Sequence, residues 1–152
     1  MSYSEKARTL FKQGYNCSQA VLLAFSDVTG LDDRTALMLS SSFGGGMGRL
    51  REVCGAVSGM FMVIGILCGY DDPADHAGKS AHYARLQQLA AQFREKNGSI
   101  ICRDLLGLGS GADHPVPEHR TEAYYKKRPC ADMVADAAEI TEQYLREIGK
   151  LP

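Results

Sequence analysis

Four cysteines carry the chemistry this sequence can do: Cys17, Cys54, Cys102 and Cys130. Each falls beside a helix-start signal. Cys17 follows Asn16, a strong N-cap, and Gln19 can complete a capping box with it. Cys54 opens an apolar run, Cys102 follows Ser99, and Cys130 follows Pro129. Unpaired backbone N–H groups and the helix dipole favour negative charge at such positions. The thiolate is both the nucleophile and the metal ligand, and helix starts and nearby cations lower thiol pKa. Arg49 and Arg51 precede Cys54, Arg103 follows Cys102, and Lys126, Lys127 and Arg128 precede Cys130. The four stand tens of residues apart in the chain, so there is no Cys-x-x-Cys pair, zinc-finger spacing or ferredoxin run. Only the fold can bring them together.

Two chemistries suit four such thiols. They are the usual ligand set for an iron–sulfur cluster or a structural metal. Without metal, two of them can cycle between dithiol and disulfide, with Cys54 and Cys17, or Cys102 and Cys130, as the pairs to test. A glycine-rich turn, Gly44, Gly45, Gly46 and Gly48, stands just before Cys54. It lacks the Gly-Lys-Ser/Thr ending of a phosphate loop, and Arg49 stands where a dinucleotide fingerprint needs its third glycine. Its expected role is to let the chain pass close to Cys54 or to a cofactor. Gly44, Gly45, Gly46 and Gly55, with Arg49 and Arg51, are therefore the candidate cofactor-binding residues. His76, His82, His114 and His119 read as solvated side chains. Asp71, Asp72 and Asp75 read as cap charges, and no nucleophile–base–orienter triad emerges.

The elements that must position these thiols are helical. The run Val53 to Leu67 has no charged side chain and no one-sided stripe, so it predicts a central helix buried on every side. Gly55-x-x-x-Gly59 gives it one face without side chains, open to close approach by another backbone. The same motif packs membrane helices, but the run is nearer to about 15 apolar residues than the ~20 a span needs. Cys68, at the far end, lies about 21 Å from Cys54 by helix rise, so it is expected to be buried packing. Ahead of the central helix, the sequence predicts helices over 4–13, from Cys17 to about Gly30, and from Asp32 or Asp33 to Ser40. After it, Asp71-Asp72-Pro73 signals a restart, with Tyr83, Leu86, Leu89, Ala90 and Phe93 on the apolar face. A short helix over 100–106, a loop over 107–118 and a last helix opened by Pro129 complete the chain. No strand signal appears. The expectation is an all-α, compact helical bundle around a glycine-containing central helix, forming one domain over 1–152.

Composition narrows the partners. The chain has 152 residues, 45% of them apolar, enough for a real core. The net charge of −1 gives no electrostatic case for nucleic acid or an anionic membrane. The N-terminus lacks a basic-then-apolar signal pattern, so a cytoplasmic protein is expected. Five cysteines in that setting point to metal binding or redox chemistry rather than a disulfide framework. An apolar central helix that needs cover on every side makes a homodimer an expectation.

The sequence resembles the redox-active proteins named for the pattern C_GCAxxG_C_C, over nearly the whole chain. Asn16-Cys17-Ser18-Gln19, Phe43-Gly44-Gly45-Gly46-Met47-Gly48 and Cys54-Gly55-Ala56-Val57-Ser58-Gly59 carry the resemblance, with Cys102 and Cys130 as the trailing cysteines. Cys68 lies outside the pattern. The resemblance implies a small all-helical oxidoreductase or electron-transfer protein with a redox or metal role, an unnamed redox partner and an association with membrane transporter systems. A relative, the split-Soret cytochrome, implies that such a fold can hold an iron–sulfur cluster; its Cys-x-x-Cys-His haem signature is absent here. The readings carried forward are a thiolate-ligated iron–sulfur or metal site, a metal-free thiol–disulfide protein, and a non-catalytic helical interaction module.

Overall fold

Chain order begins with two reciprocal caps. The side chain of Ser2 accepts from Glu5 N while Glu5 accepts from Ser2 N, starting α1 at Tyr3–Lys12. Asn16 and Gln19 repeat the arrangement and start α2, Cys17–Ala24. The continuous helix expected up to Gly30 breaks at Phe25. That fully buried ring sits at the junction with a four-residue helix α3, Ser26–Thr29, which ends on left-handed Gly30. Asp32 caps α4, Asp33–Ser40, as expected. The computed structural model describes all residues, 1–152.

The central helix α5, Gly55–Cys68, begins with Cys54 as its N-cap. Val57, Met60, Val63 and Ile64 are fully buried on it. Complete burial on every side does not occur. Phe61 and Met62 are half-buried and Ile66 is 41% exposed, because helices cover only one side of the C-terminal half. Cys68 is half-buried rather than sealed in packing. The next helix starts later than Asp71-Asp72-Pro73 implies. Asp72 closes a turn by accepting from Ala74 N, and Asp75 caps α6, His76–Asn97, through Gly78 N. On α6 the buried face is His82, Leu89, Ala90 and Phe93, with Leu86 half-buried. Tyr83 points to solvent and shares a hydrogen bond with the Tyr70 hydroxyl. His82 thus takes a core position instead of a solvated one, with Nδ1 3.1 Å from Arg85 Nη1. Burial, then the charge of Arg85, push its pKa down.

Three helices finish the chain: α7, Cys102–Leu106; α8, Glu122–Lys127; and α9, Cys130–Glu147. Helix α8 is not foreseen by hydrophobic periodicity; Thr121 caps it by accepting from Tyr124 N. The fold is all-α, with nine helices and no strand. Its one β-type contact is an isolated antiparallel bridge between Val53 and Ile101. A single cluster of 24 buried residues unites α1, α2, α5, α6 and α9. No helix is long and apolar enough to cross a membrane.

The Gly-x-x-x-Gly face is used inside the molecule. A Cβ on Gly59 would lie 2.8 Å from Ser18 O and 2.9 Å from Val21 Cβ. Gly65, on the same helix, has nothing within 4 Å of where a Cβ would stand. Gly59→Ala should therefore push α2 and α5 apart and cost about 1–3 kcal/mol. Gly65→Ala should stabilise by about 0.4–1 kcal/mol. Chemical denaturation of both variants checks this; equal effects would contradict the assigned crossing.

Candidate functional site

Each of the four cysteines is placed by a different local device. Cys17 is the first residue of α2, and the cap beneath it is tied down. Asn16 Nδ2 donates to Ser41 O, Gln19 Nε2 to Leu37 O, and the buried Ser18 hydroxyl to Ser40 O. Cys54 is brought to Cys17 by the glycine face of α5: a Cβ on Gly55 would sit 3.1 Å from Cys17 Cβ and 2.8 Å from Phe43 O. Cys54 and Cys102 are joined through the backbone. Cys54 N donates to Ile100 O at 2.7 Å and Cys102 N to Glu52 O at 2.6 Å, flanking the Val53–Ile101 bridge. Cys130 is the first residue of α9, behind Pro129.

The glycine turn is a stretch of left-handed backbone. Gly45, Gly46, Met47, Gly48 and Arg49 all have φ between 62° and 70°, and Arg51 follows at 60°. Gly48 N closes the turn onto Gly44 O at 2.9 Å. Left-handed backbone costs a non-glycine residue roughly 1–2 kcal/mol, so Met47, Arg49 and Arg51 hold strain that surrounding contacts must offset. At Gly46 even the missing side chain is needed, because a Cβ would lie 2.6 Å from Cys102 Cβ and 2.9 Å from Arg51 Cα.

The strained turn aims two arginines. Arg51 Nη1 stands 3.5 Å from Cys102 Sγ, while its Nη2 donates to Asp113 Oδ2 at 2.9 Å. Arg49 Nη2 reaches the same carboxylate oxygen at 3.0 Å, and Arg49 Nε donates to His114 O. Asp113 N returns a bond to Arg49 O. The loop over 107–118 is thus fastened across the turn, and Arg128 holds its far end through Glu118 at 2.6 Å.

All four predicted cysteines line one cavity of about 470 Å³. Gly44, Gly45, Gly46, Gly55, Arg49 and Arg51 line it too. Sequence reasoning missed Arg120, Tyr124, Asp113 and Glu118. Arg120 packs its guanidinium 4.1 Å from the Phe11 ring centroid and donates to Phe11 O and Tyr15 O. An aspartate in a glycine–proline loop and a threonine before Glu122-Ala123 were the available signals for Asp113 and α8. Cys68 lies outside the cavity, and Arg85 holds its carbonyl.

The thiols are not equivalent. Cys54 is 5% exposed and Cys102 8% exposed; Cys17 and Cys130 are half-buried. Burial pushes the Cys54 thiol up to about 12. Burial also raises Cys102, against the pull of Arg51. Cys17 and Cys130 line the same cavity and shift each other's titration in opposite directions. A hydrogen bond from the Cys17 thiol stabilises the Cys130 thiolate and holds it below the ordinary cysteine value; Arg128, Arg120 and Arg51 act in the same direction. Cys17 moves well up, first through Cys130 and then by loss of water around its sulfur. Partial burial, and then the charge of Cys130, push the Tyr124 hydroxyl up to about 12.

No group of three or more His, Cys, Asp or Glu side chains stands close enough together to hold a single metal ion. A cluster makes a different demand: each thiolate binds its own iron around a shared core, so the sulfurs need not meet at one point. The donor set and the cation-rich wall fit that chemistry.

A family model described as "Putative redox-active protein (C_GCAxxG_C_C)" matches residues 15–144. The chain belongs to the C_GCAxxG_C_C family. The four cysteines of the family pattern and Gly55 fall on the cavity, while Gly59 packs against α2. In this member the cysteine precedes the glycine, Cys54-Gly55-Ala56, and Gly55 is the residue whose bare Cα admits Cys17. No curated protein and no solved structure matches the chain.

The loop fastening is pH-dependent. Arg51, and next the His114 amide and Arg49, hold the Asp113 carboxyl below its ordinary value. A carboxylate with a depressed folded-state pKa contributes its stabilisation above the unfolded value and loses it as pH falls through the folded one. Hydrogen exchange at the Asp113 and His114 amides should therefore be slow at neutral pH, after correction for intrinsic rates, and rise under strong acid. Asp113→Asn should show the fast exchange already at neutral pH. Protection unchanged by the substitution would contradict the role given to the ion pairs.

Proposed function

We propose that this redox-active family member works as a dithiol, with Cys130 as the nucleophile and Cys17 as its resolving partner. The observation that carries the reading is that Cys17 and Cys130, the two half-buried cysteines of the cavity, open α2 and α9 on its lining beside Arg51, Arg120 and Arg128; the Cys130 thiol is drawn down and the Cys17 thiol up. A thiolate attacks disulfides and oxidants; a neighbouring thiol then closes the intramolecular disulfide. Both pairings expected from the sequence differ from this one. Backbone pairing of 52–54 with 100–102 ties Cys54 to Cys102, and Cys17 and Cys130 open the helices α2 and α9 on the same cavity. The buried, proton-retaining Cys54 and Cys102 supply a low-polarity wall with Arg51 fixed against it.

A second reading is favoured by a separate observation: all four family cysteines line one cavity. In that reading Cys17, Cys54, Cys102 and Cys130 hold an iron–sulfur cluster, which would supply one-electron transfer. Arg51 would donate to the Cys102 sulfur, and the other arginines of the wall would offset the charge of the thiolates.

One anaerobic preparation separates the two. The dithiol reading predicts metal-free protein with five reactive thiols after reduction. Mild oxidation should remove two of them, with peptide mapping finding Cys17 linked to Cys130. Cys130→Ser should lose that linkage and its oxidation rate by roughly two orders of magnitude, since attack then needs a thiol of raised pKa. Stoichiometric iron with visible absorption bleached by dithionite would instead establish the cluster. An oxidised protein with Cys17 and Cys130 both free would overturn the dithiol.

A further inference from the structure

The cavity selects its reactant by size and charge. Its floor carries thiols, and residues Pro115, Pro117 and Glu118 of the fastened loop form one wall. Two of the sulfurs are almost fully covered and the other two are half-buried. A volume of about 470 Å³ lies within the range of small-molecule sites, roughly 300–1,000 Å³. A sulfur inside a cavity is reached by a small molecule that enters it more readily than by the convex surface of a folded protein.

The charge of the wall runs against that of the molecule. Arg49, Arg51, Arg120 and Arg128 line the cavity, and Glu118 is the acidic residue beside them. Asp113 stands behind, shared by Arg49 and Arg51, and Glu118 neutralises Arg128. Arg120 has backbone carbonyls and aromatic rings around it and no carboxylate partner among its contacts. Four guanidinium groups therefore face two carboxylates, in a chain whose net charge is −1. Clefts of one sign with low-dielectric walls concentrate ligands of the opposite sign.

We infer that the cavity takes small disulfides bearing carboxylate groups and exchanges with them through Cys130 and Cys17. This inference rests on the dithiol reading. Written R–S–S–R, the substrate is attacked at one sulfur by the Cys130 thiolate. The Cys130–S–S–R bond forms, the substrate S–S bond breaks, and one R–S⁻ leaves. Cys17 then attacks Cys130 Sγ, forming the Cys17–Cys130 disulfide and expelling the second R–S⁻. Between them the two leaving thiolates take up the proton given up by Cys17 and one from solvent. Two protein thiols, one of them ionised at the start, are oxidised, and one disulfide is reduced to two thiols. The carboxylates of R are what the arginine wall recognises.

Three small symmetrical disulfides test the charge selection: dithiodiglycolate (doubly anionic), bis(hydroxyethyl) disulfide (neutral) and cystamine (doubly cationic). The rate of Cys17–Cys130 disulfide formation in the reduced full-length protein is measured with each and normalised to its rate with free mercaptoethanol. The anionic reagent should be roughly tenfold or more faster than the neutral one, and the cationic reagent the slowest. The spread should collapse near 1 M salt, where screening falls to about 3 Å. Glu118→Gln, on the exposed loop, should widen the anionic preference and Arg49→Gln should narrow it. Equal normalised rates, a cationic preference, or a spread unmoved by salt and by Glu118→Gln would overturn the inference while leaving the dithiol intact. Failure of all three reagents to join Cys17 to Cys130 would overturn the dithiol reading and this inference with it.

Discussion

At Gly55 and Gly59 the backbone of the central helix lies directly against the first turn of α2, with Ser18 O and Cys17 Cβ where side chains would otherwise stand. Glycine in a helix interior costs up to about 1 kcal/mol against alanine, and two are placed on one face. The cost is offset by packing, because Val57, Met60, Val63 and Ile64 bury completely once the helices meet at this distance. The same approach sets the distance between Cys54 and Cys17. Core packing and site geometry are thus one constraint, and the rest of the site is attached to it. The 52–54 and 100–102 backbone pairing adds Cys102, and α9, running along α1, α2 and α5, adds Cys130.

Burial and charge then oppose each other around the sulfurs. Taking a thiol out of water disfavours its thiolate, and Cys54 shows this most fully. Cys130 escapes because the neighbouring Cys17 thiol and three guanidinium groups outweigh its partial desolvation. One of the three, Arg51, is held by unusual backbone together with its neighbour Arg49. Arg49 and Arg51 both adopt left-handed φ, a conformation stabilised here by ion pairs to Asp113 and by the bond from Arg51 to Cys102. Strain at the glycine turn is therefore balanced by contacts that also fasten the loop over the cavity.

Much of this is legible in the amino-acid sequence. The reciprocal cap at Asn16 and Gln19, the N-cap at Asp32, the glycine face of the central run and the four cysteines at helix starts follow from local chemistry alone, and each holds. What failed depends on neighbours distant in sequence. The apolar run could not report that Ile66 would lack a covering helix, nor could the periodicity of α6 report that His82 would be buried and Tyr83 exposed. That Cys17 and Cys130 share one cavity requires knowing that the last helix packs beside α2. An aspartate in a loop of glycine and proline was a weak signal for Asp113, because its partners are two arginines more than sixty residues earlier.

The account turns on which sulfur carries the negative charge, and alkylation read residue by residue measures that directly. Reduced, metal-free protein would be treated with limiting iodoacetamide across a pH series, and each cysteine peptide followed by mass spectrometry. The account predicts that Cys130 reacts first, with a midpoint below the ordinary cysteine value, while Cys17 and Cys54 lag until strongly alkaline pH. Equal rates at the four cavity cysteines, or a Cys130 slower than Cys17, would contradict it.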